Sequence, residues 1–306
     1  MKVLLATQKP FSAVAVEGIS NIVRQAGDEL VVLEKYADEQ ALKAAVSDVD
    51  AMIVRSDKVT AEIMSAAPNL KIVVRAGAGY DNVDLAAASE KGIVVMNTPG
   101  QNSNAVAELA IALMIFMARN QFTPATGSEI SGKTLGVQGF GNVGQLIAAK
   151  AKALGMKVKA YDPVRTPEEI IVLGAEPVDD LMSLYSTCNY ISLNIPLLPS
   201  TEKMVGCSLF TGMPSGGVLV NTARKEVVDE AGLEMALAQR PDLKYATDVM
   251  PDNYAQLQER FGLRVYANSK KMGAQTAEAN LNAGLAAARQ IVDYFRTGNV
   301  KFQVNK

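Results

Sequence analysis

The run Gly139-Phe140-Gly141-Asn142-Val143-Gly144 lies between a short strand-like segment, residues 134–138, and a helical one, residues 145–154. Glycines at this spacing suit the holding of a pyrophosphate. Gly139 permits a tight turn, Gly141 lets the backbone approach the anion, and Gly144 lets the helix pack closely on the strand while its free N–H groups face the charge. The next strand-like run, residues 158–161, ends in Asp162, which lies 162 − 144 = 18 residues beyond the last glycine. That is near the roughly 20 at which a carboxylate takes the ribose hydroxyls of a dinucleotide. A carboxylate there repels a 2′-phosphate, so NAD is favoured over NADP, and Arg165 nearby softens that preference without reversing it. The alternative is a glycine-rich structural turn followed by a surface Asp.

A second set of groups suits an anionic small molecule. Arg55 and Arg75 both end strand-like runs, on the side where ligands bind in parallel sheets. Ala76-Gly77-Ala78-Gly79 follows, and its small residues leave backbone N–H groups open to form an anion nest for a carboxylate. Two cations suit a phosphate, unless one of them pairs with a structural carboxylate. The 306 residues include no His. Hydrolases that use imidazole as base are thereby excluded, as are typical zinc enzymes, and no metal site is expected. Proton chemistry falls to carboxylate, Lys, Tyr or Cys. Cys188 and Cys207 form no CxxC motif and read as buried small hydrophobes.

The elements that must position these groups alternate regularly. Strand-like runs at residues 3–6, 30–33, 51–54, 72–75 and 94–97 are separated by helical runs at 14–25, 39–46, 61–66 and 83–91. A long helix at 104–119 follows, and strand-like runs resume at 134–138, 158–161, 190–193, 218–221 and 244–248. Repeated strand-helix alternation implies an α/β protein with doubly wound parallel sheets, because each parallel crossover needs a helix-length connection. The length suits about two domains of roughly 150 residues each. The first crossing is placed at Thr98-Pro99-Gly100, and the last helix, residues 277–296, could return to either domain. Thirty basic against 32 acidic residues give a net charge of −2, which offers no field for nucleic acid or anionic lipid. The apolar stretch 105–118 is too short to span a bilayer and contains Glu108, and residues 2–6 run directly into a strand, so a cytoplasmic protein is expected.

Further segments carry a resemblance. Val54-Arg55-Ser56, the run Arg75-Ala76-Gly77-Ala78-Gly79-Tyr80-Asp81-Asn82-Val83-Asp84, Gly92-Ile93-Val94-Val95-Met96-Asn97-Thr98-Pro99, the glycine fingerprint, Pro196-Leu197-Leu198-Pro199-Ser200-Thr201 and Val220-Asn221-Thr222-Ala223-Arg224 stand in one order along nearly the whole chain. In these motifs the chain resembles the D-2-hydroxyacid dehydrogenase family, most closely its members that oxidise 3-phospho-D-glycerate. The resemblance implies a flavodoxin-like substrate domain, residues 1–97 plus 276–306, and a Rossmann NAD-binding domain, residues 98–275. It implies a substrate cleft between them and a homodimer formed through the NAD domains. A C-terminal regulatory module is expected to be absent, and the connection 121–133 is short for the family.

The resemblance also assigns roles. Arg224 matches the family's catalytic Arg, whose planar fork binds oxygens bidentately and keeps its charge. Most members have Gly next, where this chain has Lys225. The family's acid/base His lies in a Pro-His-x-Gly segment, and Lys271 of Ser269-Lys270-Lys271-Met272-Gly273 occupies its position. An ordinary lysine pKa near 10.4 leaves only about one molecule in a thousand neutral near pH 7.5, so a base role needs alkaline conditions or burial beside Arg224. Lys271 as an electrostatic clamp, and exchange of roles with Lys270, stay open. The usual partner Glu is replaced by Asn253, and Asp252 is either its substitute or a solvated loop residue. Asn102 matches another substrate-facing position. Pro196, Thr201, Thr222 and Ala223 match cofactor positions, as do the fingerprint and Asp162, and Asp248 matches an acceptor for the nicotinamide carboxamide.

The implied activity is NAD-dependent oxidation of 3-phospho-D-glycerate to 3-phosphohydroxypyruvate, the first step of the phosphorylated route to serine. Reduction of glyoxylate or hydroxypyruvate is the enzymatic alternative. An NAD-sensing scaffold like the corepressors that share this fold is the other.

Overall fold

A computed structural model describes residues 1–305, which fall into two compact units, residues 1–102 with 275–305 and residues 103–274. The first crossing follows Asn102, so Thr98-Pro99-Gly100 belongs to the first unit and the chain leaves it two residues after Gly100.

The first unit is built on a parallel sheet of β1 (Lys2–Thr7), β2 (Glu29–Glu34), β3 (Ala51–Val54), β4 (Ile72–Arg75) and β5 (Val94–Asn97). The strand order is β2-β1-β3-β4-β5, the flavodoxin-like order. All four residues of β3 are buried, as expected for a strand covered on both faces. One face is covered by the helices Glu39–Ala45, Ala61–Ser65 and Leu85–Glu90 through Leu42, Ile63, Met64 and Ala88. The other is covered by the helices Ala13–Gln25 and Ala277–Thr297 through Ile19, Val23, Ala283, Ala287 and Ile291. The last helix therefore returns to the first unit. Those two helices touch at glycines, since a Cβ on Gly18 would stand 2.5 Å from Leu285 Cδ2.

Beyond that helix the chain reaches the edge of β5. Val304 N–H donates to Val95 O at 2.9 Å, and Val95 N–H donates to Asn305 Oδ1 at 2.7 Å. Asn305 Nδ2 donates in turn to Ile93 O and Ser89 Oγ. The open edge of the sheet is thus paired by the chain's own tail.

The second unit carries β6 (Thr134–Gln138), β7 (Lys157–Tyr161), β8 (Glu176–Pro177), β9 (Tyr190–Leu193), β10 (Val218–Asn221), β11 (Lys244–Thr247) and β12 (Val265–Ala267). Its order is β12-β11-β10-β9-β6-β7-β8 and every pair is parallel. The topological switch lies between β6 and β9, at the C-terminal end of β6, which is where α/β sheets bind ligands. Two strands go beyond the five expected. β8 is two residues long and β12 is three, both at sheet edges, too short to show a hydrophobic period. Among the described residues no helix is long and apolar enough to cross a membrane.

Candidate active site

The glycine loop leaves β6 for the helix Asn142–Ala153, and each glycine has a separate steric reason. Gly139 has φ +87°, a left-handed value, and a Cβ there would stand 2.8 Å from Asn194 O. A Cβ on Gly144 would stand 2.2 Å from Gly139 O and 2.9 Å from Val137 Cγ1, so the helix can lie this close to the strand only with Gly. Gly141 is different. It is exposed, has extended backbone, and a Cβ on it would meet nothing within 4 Å of the chain. No contact inside the protein demands glycine here; a ligand close to the backbone would. The N-terminus of the helix has no side-chain cap, so its first N–H groups, on Asn142 and Val143, remain open to an anion.

Asp162 lies just beyond β7 and is tied to the loop. Phe140 N–H donates to its Oδ2 at 2.7 Å, and Val164 N–H donates to its Oδ1 at 3.0 Å. Each oxygen keeps a lone pair for a ribose hydroxyl. Arg165 Nε donates to Phe140 O at 2.8 Å, which binds this cation to the loop backbone. The Phe140 side chain is fully buried and roots the loop in the core.

At the end of β10, Asn221 is fully buried and shapes the following turn: its Oδ1 accepts from Ala223 N–H at 2.9 Å and its Nδ2 donates to Arg224 O at 2.9 Å. Arg224 Nη1 donates to Ala223 O at 3.1 Å, and Lys271 Nζ donates to that same oxygen at 2.8 Å. The two cations of the second unit therefore meet at one atom. Lys271 itself is exposed, so of the two conditions a base role could rest on, alkaline pH or burial beside Arg224, the first applies. Thr222 Oγ1 is buried with no hydrogen-bond partner among the described residues. Together with the bare face of Gly141, that orphaned hydroxyl fits a site completed by a bound cofactor.

The loop carrying Lys271 is fastened from below by Asp248, which is fully buried one residue beyond β11. Its Oδ1 accepts from Met272 N–H and Asn268 Nδ2, and its Oδ2 from Gly273 N–H, all at 2.8 Å. Asp248 was expected at the nicotinamide carboxamide; three of its roughly four acceptor positions are taken within the chain. Gly273 is required there, because a Cβ would stand 2.8 Å from Asp248 Oδ2.

In the first unit the cations and the nest form one patch. Arg75 Nε donates to Arg55 O at 2.9 Å, and its guanidinium lies where a Gly77 side chain would be, 1.6 Å from the Cβ position. Gly77 O accepts from Thr98 N–H, and Ala78 O accepts from Asn97 Nδ2, so the ends of β4 and β5 hold Ala76-Gly77-Ala78-Gly79 in shape. Arg55 donates to Lys9 O, Pro10 O and Asn280 Oδ1, and burial pushes its pKa down. Asn102 is half-buried at the end of the same unit.

The family model for the catalytic domain of D-isomer specific 2-hydroxyacid dehydrogenases matches residues 7–305. The chain belongs to this family. It is 36% identical over 283 residues to hydroxypyruvate reductase of Thermotoga maritima, a match over 86% of this chain and 90% of that protein. It is 36% identical over 298 residues to rat D-3-phosphoglycerate dehydrogenase, where it covers 92% of this chain but 56% of the relative's length. Among solved structures it is similar to the NAD+-bound 3-phosphoglycerate dehydrogenase of Entamoeba histolytica, with a TM-score of 0.91, 46% identity and coverage of 100% and 99% of the two chains.

As a 2-hydroxyacid dehydrogenase the chain departs from the family's motif at Lys225, and that residue meets Asp252, the neighbour of the missing Glu. Lys225, at the family's Gly position, donates from Nζ to Asp252 Oδ1 at 2.5 Å, and the bond raises the lysine pKa. Asp252 is thereby engaged with Lys225 rather than with Lys271. Asn253 holds the expected Glu position with its Oδ1 buried and unpartnered. Thr201, expected at the cofactor, closes its own loop: Oγ1 donates to the carbonyl of exposed Pro196 at 2.7 Å and accepts from Leu198 N–H at 2.8 Å. Cys188 is fully buried, and burial lifts its thiol to about 11; Cys207 is half-exposed, so only the first is the buried hydrophobe expected of both. Asn221 and Asn280 were not foreseen. Asn221 lay inside a quoted motif, whereas nothing local distinguishes Asn280.

Proposed function

We propose that this dehydrogenase oxidises 3-phospho-D-glycerate to 3-phosphohydroxypyruvate with NAD. The observation that carries the substrate is the patch in the first unit, where Arg55, Arg75 and the Gly77 nest adjoin through Arg75. A guanidinium pair suits a phosphate dianion, and backbone N–H groups of the nest suit the carboxylate. The cofactor is NAD: the fingerprint glycines, Asp162 and Thr222 would hold it, and when bound it accepts the hydride from C2. Support for a phosphorylated substrate also comes from the names of the rat and Entamoeba relatives.

In this reading the chain supplies three things. Arg224 holds the substrate's carboxylate and the oxygen that becomes the carbonyl, stabilising its charge. Lys271, as a neutral amine, takes the hydroxyl proton during oxidation and returns it during reduction. Asp248 fixes the Lys271 loop through the main-chain N–H groups of Met272 and Gly273. The missing His and Glu are consistent with this exchange, because a carboxylate partner helps an imidazole base and would hold a lysine protonated.

The Thermotoga relative favours a second reading, reduction of hydroxypyruvate, which uses the same groups but leaves the phosphate cations unemployed. Absorbance at 340 nm with purified protein, NAD or NADH, and a panel of phosphorylated and unphosphorylated acids separates the two. Preference for 3-phosphoglycerate is the expected result; NAD binding with no turnover on any acid would favour the scaffold reading instead. A homodimer, as the family resemblance implies, in the cytoplasm completes the proposal, and light scattering on the eluted protein checks the dimer.

A further inference from the structure

We infer that Asn280, acting through Arg55, is a specificity-positioning residue that keeps this guanidinium charged, aimed and unneutralised for a phosphomonoester. The inference rests on the phosphate reading of the first unit. Arg55 Nη2 donates to Asn280 Oδ1 at 2.5 Å, across 225 residues of sequence. The guanidinium also lies over the Phe11 ring, 5.0 Å from its centroid. Phe11 in turn fits against the same returning helix at Gly284, where a Cβ would stand 3.1 Å from the ring. Asn280 and Gly284 are four residues apart and so share one helix face. One end of that face takes the tip of Arg55, and the other admits the ring on which Arg55 is stacked.

The chemistry of the partners is what points to an anion. All three hydrogen-bond acceptors of Arg55 are neutral: Lys9 O, Pro10 O and the Asn280 amide. The neighbouring carboxylate, Asp57, is buried; its Oδ1 accepts from Gln8 N–H and Tyr36 OH, and it attracts Arg55 at a distance with no hydrogen bond to it. A structural arginine that is partly buried usually finds a carboxylate. Here the amide orients the guanidinium while leaving its charge for a ligand. A carboxylate at position 280, the same size and shape, would satisfy Arg55 within the protein and compete with the incoming phosphate.

The decisive variant is Asn280→Asp, compared with wild type in the reduction of 3-phosphohydroxypyruvate and of hydroxypyruvate. An acid in the first turns of a helix is tolerated by the helix dipole, so the fold is kept. The expected result is a KM for the phosphorylated substrate raised about tenfold, with kcat within about twofold and both constants for hydroxypyruvate unchanged. Asn280→Ala, which releases the guanidinium without neutralising it, should raise the same KM by a smaller factor, about threefold. If either variant melts below wild type, the comparison of the two substrates on the folded fraction still reads the effect. A wild type that prefers the phosphorylated substrate, with variants that alter both substrates alike or neither, overturns the inference alone. A wild type with no such preference overturns the phosphate reading, and the inference falls with it.

Discussion

Arg224 and Lys271, 47 residues apart, donate to one main-chain oxygen, that of Ala223, at 3.1 and 2.8 Å. Both side chains are long and carry much rotamer freedom in solution. A shared acceptor on the strand-end turn, itself shaped by buried Asn221, holds the two charged tips together before a substrate arrives.

Lys271→Met should therefore remove a proton acceptor without opening the fold. The expected loss in kcat is about 10²- to 10⁴-fold, the usual range for a general acid/base. Steady-state assay at 340 nm checks it, and a variant that retains most of its activity would return Lys271 to the role of a clamp or pass the proton to Lys270.

The pH profile follows from the base being an amine. Oxidation needs neutral Lys271, so its rate should still be climbing with pH where an imidazole base would already have levelled off. Reduction needs the protonated form, so it should stay level while the lysine is mostly protonated and fall only once the proton is lost. A plateau in oxidation from about pH 7, as an imidazole would give, contradicts the assignment.

Arg224→Lys preserves the charge and loses the planar fork. Transition-state binding should weaken by about 10²-fold or more in kcat/KM, chiefly through kcat. Titration of the variant with NADH, followed by fluorescence, should give wild-type affinity and so separate this loss from one of cofactor binding.

The glycines of the fingerprint should separate fold from ligand. Gly144→Ala forces a methyl against Gly139 O, and a loss of about 3 kcal/mol or failure to fold is expected in denaturant melts. Gly141→Ala has room in the protein, so stability should hold while NAD affinity, read by calorimetry, falls at least about tenfold.

Asp252→Asn tests whether that carboxylate replaces the missing Glu. The carboxylate itself is exposed and its partner is the half-buried Lys225, so kcat, the pH profile and stability should all stay at wild-type values. Asp248→Asn should behave oppositely, because one oxygen becomes a donor facing another donor. A stability loss of about 1–3 kcal/mol is expected, together with a fall in kcat as the Lys271 loop loosens.

What the sequence revealed depended on how local the signal was. β3, β4 and β5 are legible to the residue because buried parallel strands are short apolar runs between turns. β8 escapes detection: two residues, one of them proline, show no period. The glycine loop, Arg55, Arg75 and Arg224 were legible because each sits in a contiguous motif. Their partners were not. Asn280 reaches Arg55 only once the last helix has folded back, and the tie from Asp248 to Gly273 crosses 25 residues. Lys225 looks like an isolated departure in sequence and Asp252 like a loop residue beside the missing Glu, and their relation exists only in space.

The tail that pairs β5 sets an order of events during synthesis. The second unit is one continuous stretch, and all of it has been made by residue 274. The first unit begins earlier yet must wait for the returning helix and for Asn305 to seal its sheet. The oldest third of the polypeptide is the last to be completed as a unit, and Arg55 can gain its partner only after the whole dinucleotide loop has been made.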